Sequence, residues 1–428
     1  MNSHYEYKPA NVGRWLIWTL FALVLAGVPH IFTSGLGTTV LTQMGIAIIA
    51  CLSYNILLGQ GGMLSFGHAV YTGLGAFLTM HALNRIGEGL PLPVSLLPLV
   101  GGLAGIGFAV LFGYVSTRKS GTTFAMITLG LGELVFALSL MIPEFFGGEG
   151  GVSGNRVVGP VRAGISFGPP LQVYYLIATY TFLSVAAMFA FTRTPLGRML
   201  NAVRDNPERV EFVGYNTRMV RYIAFILAGF FAGIAGGLGA LNFEIVTAEV
   251  VGTARSGAYL LFTFLGGATF FFGPIIGGIL MVLAFVLLSE FTKAWLLYLG
   301  LIFIFMVMYA PGGIASLIMM NLRLAKYGRL RQIWVSYLGL GVCALVILTG
   351  AAVLIEMVYH LQLGSAVGPQ LLFLGIPFNA GDMNSWFGSV FVMLTGLGLF
   401  ELLRRQYLRE WSDIQERIEE DTKGQDLL

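Results

Sequence analysis

Apolar runs of about 18 to 24 residues recur along this chain, with charge confined to the gaps between them. A run of that length crosses a hydrocarbon core of about 30 Å as a helix, whereas a membrane β-barrel shows alternating segments of about ten residues. The barrel is excluded, and the expected fold is an all-α, polytopic membrane bundle of about 10–12 spans, some of them broken or re-entrant. Composition agrees, because only 11% of residues are charged, against roughly a quarter in soluble domains. Glycine supplies 58 of 428 residues; packed membrane helices use small residues to bring their backbones together.

The pattern predicts spans near 15–33, 38–58, 62–83, 92–117, 121–142, 171–192, 221–242, 255–272, 274–291, 294–311, 333–355 and 385–403. The run from Trp15 to Thr33 follows Lys8 and Arg14 without a small-residue cleavage site and reads as a retained anchor. With the N-terminus inside, only Arg85, Arg156, Arg162, Arg255 and Lys293 fall outside, so the positive-inside rule puts both termini in the cytoplasm. The 62–83 and 274–291 segments fit either full spans or re-entrant halves. Cys51 and Cys343 lie in apolar spans and offer no disulfide scaffold, and no two histidines stand three to five residues apart. No metal site and no nucleic-acid partner are expected.

The stretch Arg193–Tyr215, RTPLGRMLNAVRDNPERVEFVGY, is the long basic interruption. Thr194 can cap a helix with Pro195 at its first position, Asn206 with Pro207 repeats the arrangement, and Gly214 supplies a C-terminal stop. Leu196, Met199, Leu200, Val203, Val210, Phe212 and Val213 form an apolar side, with the arginines turned to water or lipid phosphate. A docking surface and a solvated loop that only sets topology both fit this pattern.

Two regions read as broken. In GQGGMLSFGHAVYTGLGAF, residues 59–77, glycines including Gly61, Gly62 and Gly67 surround Ser65 and His68 at membrane depth. Either the glycines are close-packing positions and His68 is a satisfied interior residue, or the thinned backbone lets Ser65 and His68 border a solute path. In GGATFFFGPIIGG, residues 266–278, Gly273 and Pro274 must end or kink a helix beside Gly266 and Gly267. A tight turn is one reading, and two interrupted helices meeting across a cavity is the other. Thr122, Thr123 and Thr128 join Ser65 and His68 as pathway candidates, although membrane threonines commonly bond their own preceding carbonyls. Glu133, within a span, is either a structural or gating pair or a functional acid; Glu244, Glu249 and Arg255 are placed at the outer mouth.

These motifs, with SGTTFAMITLGLGEL at 120–134, FFGGEGGVSG at 145–154 and YAPGGIASL at 309–317, stand in an order that resembles LivM-type permeases. These are membrane subunits of branched-chain amino-acid ABC transporters, and the similarity covers residues from about 38 to 317. The resemblance implies a permease rather than an enzyme. It would work with a LivH-like second permease, two cytoplasmic ATPases and a periplasmic or extracytoplasmic solute-binding protein, in the lipid of a bacterial inner membrane. It also implies that the loop docks on an ATPase through Arg204, Asp205, Glu208, Arg209, Glu211 and Gly214. No lysine here stands in a P-loop, so the chain has no nucleotide cofactor, and ATP and Mg belong to the partner ATPases.

The resulting organisation is an N-terminal segment and first span at 1–37, a permease core at 38–317 with its coupling loop at 193–221, an added helical pair at 318–403 with an outside loop at 356–384 holding Gly364, Gly368 and Pro369, and a charged tail at 404–428. In the tail, Tyr407, Trp411, Ile414 and Ile418 define an apolar stripe; it can lie on the inner leaflet, but the tail's acids weaken attraction to anionic lipid and favour packing on the ATPase or the permease. Permeases for urea, short amides or aromatic and other carboxylates share the resemblance. An ion-coupled secondary transporter is disfavoured by sparse membrane carboxylates and the lack of a twofold repeat, and an intramembrane enzyme by the lack of catalytic spacings.

Overall fold

Ser34 accepts a hydrogen bond from the Gly37 N–H and so separates helix α1 (Val12–Ile31) from α2 (Gly35–Asn55). The computed structural model describes residues 12–158, 166–328, 330–363, 370–373 and 376–426. The readings at Lys8, Arg162, Gly364, Gly368 and Pro369, and those on the side chains of Ile414 and Ile418, lie outside the described residues.

α2 continues into a π-turn, Ile56–Gln60, and the helix then stops; α3 (Ala69–Gly87) begins only after an irregular segment. Of the two readings of 62–83, the structure has the broken one, a break followed by a helix, because Gly62 sits at φ +63 where a right-handed helix cannot continue. Next come α4 (Leu97–Ser116), α5 (Gly121–Met141) and the single turn α6 (Pro143–Phe146). α7 (Pro170–Arg193) leads to two short helices, α8 (Pro195–Asp205) and α9 (Pro207–Phe212), and then to the long α10 (Thr217–Phe243). α11 (Thr253–Gly266) and α12 (Gly273–Leu283) are divided by the Gly267–Phe272 turn, where Gly273 and Pro274 open a helix rather than ending one. α13 (Ser289–Phe291), α14 (Trp295–Tyr309) and α15 (Gly313–Lys326) follow. α16 (Leu330–Leu363) and α17 (Met383–Asp426) close the chain.

Eight of the described helices are long and apolar enough to cross a membrane, or nine if Trp295–Tyr309 and Gly313–Ala325, bent by 48°, count as one span. The protein is thus an all-α multi-pass membrane bundle. α3 and α11 are not among the eight: α11 has only 14 residues, and the 19-residue α3 carries His81, Asn84 and Arg85 in its C-terminal half.

The chain forms two compact units. In the first, which runs to Val286 and takes in Met306–Ala315, α10 lies against α3 and α4 with almost no side chain between the backbones. A methyl group on Gly105 would overlap the Gly229 carbonyl, and one on Gly236 the Thr72 carbonyl. This contact uses the glycine that composition reports, since in lipid close dispersion contact replaces the hydrophobic drive. Phe77, Met80, Leu83, Leu97 and Val135 fill the adjoining core. Beyond α10, Val152 and Ser153 (β1) pair antiparallel with Ile245 and Val246 (β2), and Gly147 and Gly151 make the turn into β1 at φ 75 and 70.

The second unit comprises Leu287–Phe305 and Ser316–Leu428. There α16 and α17 pack along each other, and a hairpin of β3 (Gln370–Phe373) and β4 (Ile376–Asn379) occupies part of the predicted 356–384 loop. α17 passes from the last span into the charged tail without interruption. Tyr407 and Trp411 pack with Leu324, Tyr327, Ile333 and Tyr337. The first half of the tail's apolar stripe thus packs, half-buried, within its own unit.

Candidate functional site

The broken end of α2 governs the site. A regular helix would give the Gly59 carbonyl to the Met63 N–H; here that N–H turns back to the Leu57 carbonyl at 2.8 Å, and Gly61 and Gly62 bond Leu57 and Leu58 at 3.2 and 3.0 Å. The Gly59 carbonyl is left for Arg204 of α8, whose guanidinium donates to it. Arg204 also pairs with Asp205 at 2.9 Å, and its stem lies against Gly62, so the loop packs on the break itself. Gly61 is held between the Leu57 carbonyl and Leu200 of α8, where a side chain would not fit.

His68, fully buried just before α3, bonds through Nε2 to the Ser53 hydroxyl of α2 at 2.9 Å. Its ring meets Tyr54 edge-on at 5.1 Å between centroids, with Tyr71 at 6.1 Å and Tyr259 of α11 at 6.4 Å. Its Nδ1 is buried without a partner, and so is the Ser65 hydroxyl, although the Ser65 carbonyl accepts from Tyr54 at 2.9 Å. The adjoining backbone is held from two sides. The Phe66 N–H donates to the Thr128 hydroxyl at 3.1 Å, and the Ala69 N–H to the Ser256 hydroxyl of α11 at 2.9 Å. Gly67 lies on the Thr128 carbonyl, where any side chain would collide.

Of the five pathway candidates, Ser65, His68 and Thr128 come together. Thr122 and Thr123 are exposed in the first turn of α5, and no contact among the described residues joins them to His68. Thr128 does bond its preceding Ala125 carbonyl, at 2.9 Å, yet also fixes Phe66. The second broken region is packed through its glycines: Gly266 lies on Gly273, and Gly267, at φ +111, on Gly312 and Ala315. Pro274 is buried in the first turn of α12. Sequence reading missed Ser53, Tyr54, Ser256 and Tyr259, which come from separate helices and carry no local signal.

On the coupling loop the predicted caps form. Thr194 accepts from Gly197 at 3.2 Å, Asn206 accepts from Arg209 at 3.0 Å, and Gly214 stands at φ +92. Leu200, Val203 and Val210 are buried, but Phe212 and Val213 are 87% and 74% exposed, so the apolar side predicted as one face is split into two. Asp205, Glu208 and Arg209 are exposed. Glu211 is exposed as well, and accepts from the Thr217 hydroxyl at 2.7 Å.

The acidic groups are also redistributed. Glu133 accepts from the Thr253 hydroxyl of α11. Glu244 accepts from the Arg156 N–H at 2.8 Å and pairs with its guanidinium at 3.7 Å, while that guanidinium also donates to the Phe167, Leu241 and Asn242 carbonyls. Arg255, read as an outer-mouth residue, instead sits in the first turn of α11 beside Ser256, on the side of the His68 cluster. Among the described residues no group of three or more His, Cys, Asp or Glu is placed to hold a metal.

The family of branched-chain amino acid transport system permease components matches residues 36–311. The chain is 29% identical over 332 residues to the high-affinity branched-chain amino acid transport system permease protein LivM of Escherichia coli strain K12, covering 71% of this chain and 76% of that protein. It is 28% identical over 330 residues, with the same coverage, to the protein of that name from Salmonella typhimurium strain LT2. No solved structure matches. The family match takes in the π-turn, the His68 cluster and the capped loop, and on that match the chain belongs to the branched-chain amino acid transport permease family.

Proposed function

We infer that the chain is one permease subunit of an ATP-driven importer, passing branched-chain amino acids or related small polar solutes across a bacterial inner membrane with both termini in the cytoplasm. Its partners are a LivH-like second permease, two ATPases that use ATP and Mg, and a soluble binding protein that delivers the solute outside. The observation that carries this reading is the coupling loop. Phe212, Val213 and Tyr215 are exposed around Gly214, in a protein whose other apolar surface can face lipid. An apolar, capped projection between basic helices is suited to a protein groove.

Arg204 gives that projection mechanical meaning, because the loop that meets the ATPase also holds the Gly59 carbonyl at the break leading to Ser65 and His68. Movement of α8 is then felt at the π-turn, and only such a difference in contacts between states can convert ATPase closure into an altered pathway. Ser65, His68 and Thr128 are the pathway groups in this reading. Residues 38–317 form the permease core, and the extension at 318–428 is an addition to it.

The test is purification with co-expressed neighbouring subunits. ATPases that co-purify, and whose hydrolysis rises when a liganded binding protein is added, are the expected result; solute uptake by this chain alone under an ion gradient would overturn the reading.

A further inference from the structure

Arg255, in the first turn of α11, has no counter-charge among the described residues. Arg255 donates from Nε to the Tyr259 hydroxyl at 3.3 Å and lies over that ring at 5.7 Å, but no carboxylate lies within ion-pair distance of it among the described residues. Every carboxylate near this end of α11 is engaged elsewhere or exposed: Glu133 bonds Thr253, Glu244 pairs with Arg156, and Glu249 faces outward. A guanidinium stays ionised under all ordinary conditions, so it cannot relieve its burial by losing a proton.

Its position is deep. The next residue, Ser256, bonds the N–H of Ala69, which opens α3. α3 then runs 19 residues before ending near the exposed Arg85–Glu88 ion pair, a rise of about 28 Å. Further along α11, Thr263 bonds the Cys51 carbonyl within α2 at 3.2 Å. Arg255 thus stands inside the bundle, part-buried, with its terminal nitrogens lacking a protein partner among the described residues. Ionised groups at membrane depth pair or line solute routes.

An independent observation lies next to it. Tyr259, which accepts from Arg255, also packs edge-on against the His68 ring. In that cluster two fully buried polar atoms, His68 Nδ1 and Ser65 Oγ, have no hydrogen-bond partner. Native interiors seldom leave such atoms unsatisfied. A charged fork, a phenol and two unfilled hydrogen-bonding groups gathered on one aromatic cluster are complementary to a carboxylate that carries further polar atoms.

We propose that Arg255 anchors the carboxylate of the transported solute, with Tyr259 beside it and the Ser65–His68 cluster as the adjoining polar wall. This rests on the reading of the chain as an amino-acid permease and narrows it: the solute bears a carboxylate, so α-amino acids are accepted, whereas urea and simple amides lack the group that the guanidinium fork holds. The anchor is electrostatic and bidentate, and lysine reproduces only its charge.

The test uses the complete transporter, with its partner permease, ATPases and binding protein, in proteoliposomes. Labelled leucine uptake and binding-protein-stimulated ATP hydrolysis are measured for the wild type, Arg255→Met and Arg255→Lys. A thermal shift of the assembled membrane complex, without binding protein, is titrated with leucine and with leucinamide, its matched amide. The expected result is uptake reduced about tenfold or more in Arg255→Met and partly restored in Arg255→Lys, with stimulated hydrolysis retained. The preference of the membrane complex for leucine over leucinamide should disappear with the guanidinium, a change that a purely structural arginine would not produce. Uptake of Arg255→Met within twofold of wild type overturns the anchor, as does an unchanged leucine-to-leucinamide preference. If Arg255→Met fails to assemble, Arg255→Lys decides on the same preference, which should fall. A wild-type transporter that takes up no amino acid would overturn the function itself, a separate outcome from loss of the anchor alone.

Discussion

Replacing Arg204 with methionine should loosen the link between ATP hydrolysis and transport while leaving the bundle intact. Methionine keeps an apolar stem against Gly62 and removes only the donor to the Gly59 carbonyl and the charge beside Asp205. The ion pair matters little, because Asp205 is 66% exposed and such pairs contribute about 0–1 kcal/mol. The bond to Gly59 matters more, since a bond from a charged donor contributes about 1.5–3 kcal/mol. Arg204 is itself 34% exposed, which favours the lower end, about 1.5 kcal/mol or tenfold in the population of the linked conformation. Leucine transported per ATP hydrolysed, measured in proteoliposomes, should therefore fall several-fold, with ATPase co-purification unchanged. An unaltered ratio would show that α8 does not act through the π-turn, and loss of the ATPases from the complex would show that Arg204 serves docking instead.

Two other substitutions separate strain from crowding. Gly214→Val places a β-branched residue at φ +92 with open space around it, so the cost is backbone strain of about 1–2 kcal/mol; ATPase pull-down and stimulated hydrolysis should weaken while membrane insertion is unchanged. Gly236→Ala drives a methyl into the Thr72 carbonyl between α3 and α10, an overpacking cost of about 1–3 kcal/mol. The melting temperature of the purified complex should fall, whereas Gly239→Ala, with no atom near the added methyl, should leave it unchanged.

Much of this architecture is legible in the chain because each feature has a local cause. Spans at 121–142 and 171–192 appear as helices Gly121–Met141 and Pro170–Arg193, since long apolar runs in lipid have to satisfy their backbone internally. Thr194 with Pro195 and Asn206 with Pro207 cap helices as read, because a cap depends on a few adjacent residues. The break before Ala69 is legible as a glycine run in 59–77 but its limits are not, because hydropathy is the same for an apolar residue in a helix and in an irregular segment buried among helices. Arg255 was misplaced for a related reason. The positive-inside rule counts charge by loop, and residues 244–252 turn back into the bundle through β2 and a short turn that packs on α3, so the charge that follows is not in the loop to which counting assigns it. The ring around His68 draws on α2, α3 and α11, and no periodicity within one helix encodes that meeting.

The π-turn shows why a helix should be broken here at all. Had α2 continued regularly, the Gly59 carbonyl would be closed inside the helix and α8 would have nothing to hold. The same glycine lies against the Ala268 carbonyl, just past the end of α11, so that a methyl group there would collide with it. α8, α2 and the segment after α11 therefore meet at one residue. From that residue two routes return to His68: back along α2 to the Ser53 hydroxyl that bonds its ring, and back along α11 to the Ser256 hydroxyl that bonds the adjoining Ala69 N–H. A displacement of α8 that reaches Gly59 can shift one route against the other, and a difference of that kind changes the His68 cluster, whereas a rigid translation of both would not. Glycine at position 59 is what allows the three segments to approach, so a residue of the π-turn that precedes the break also joins the cytoplasmic loop to the buried cluster.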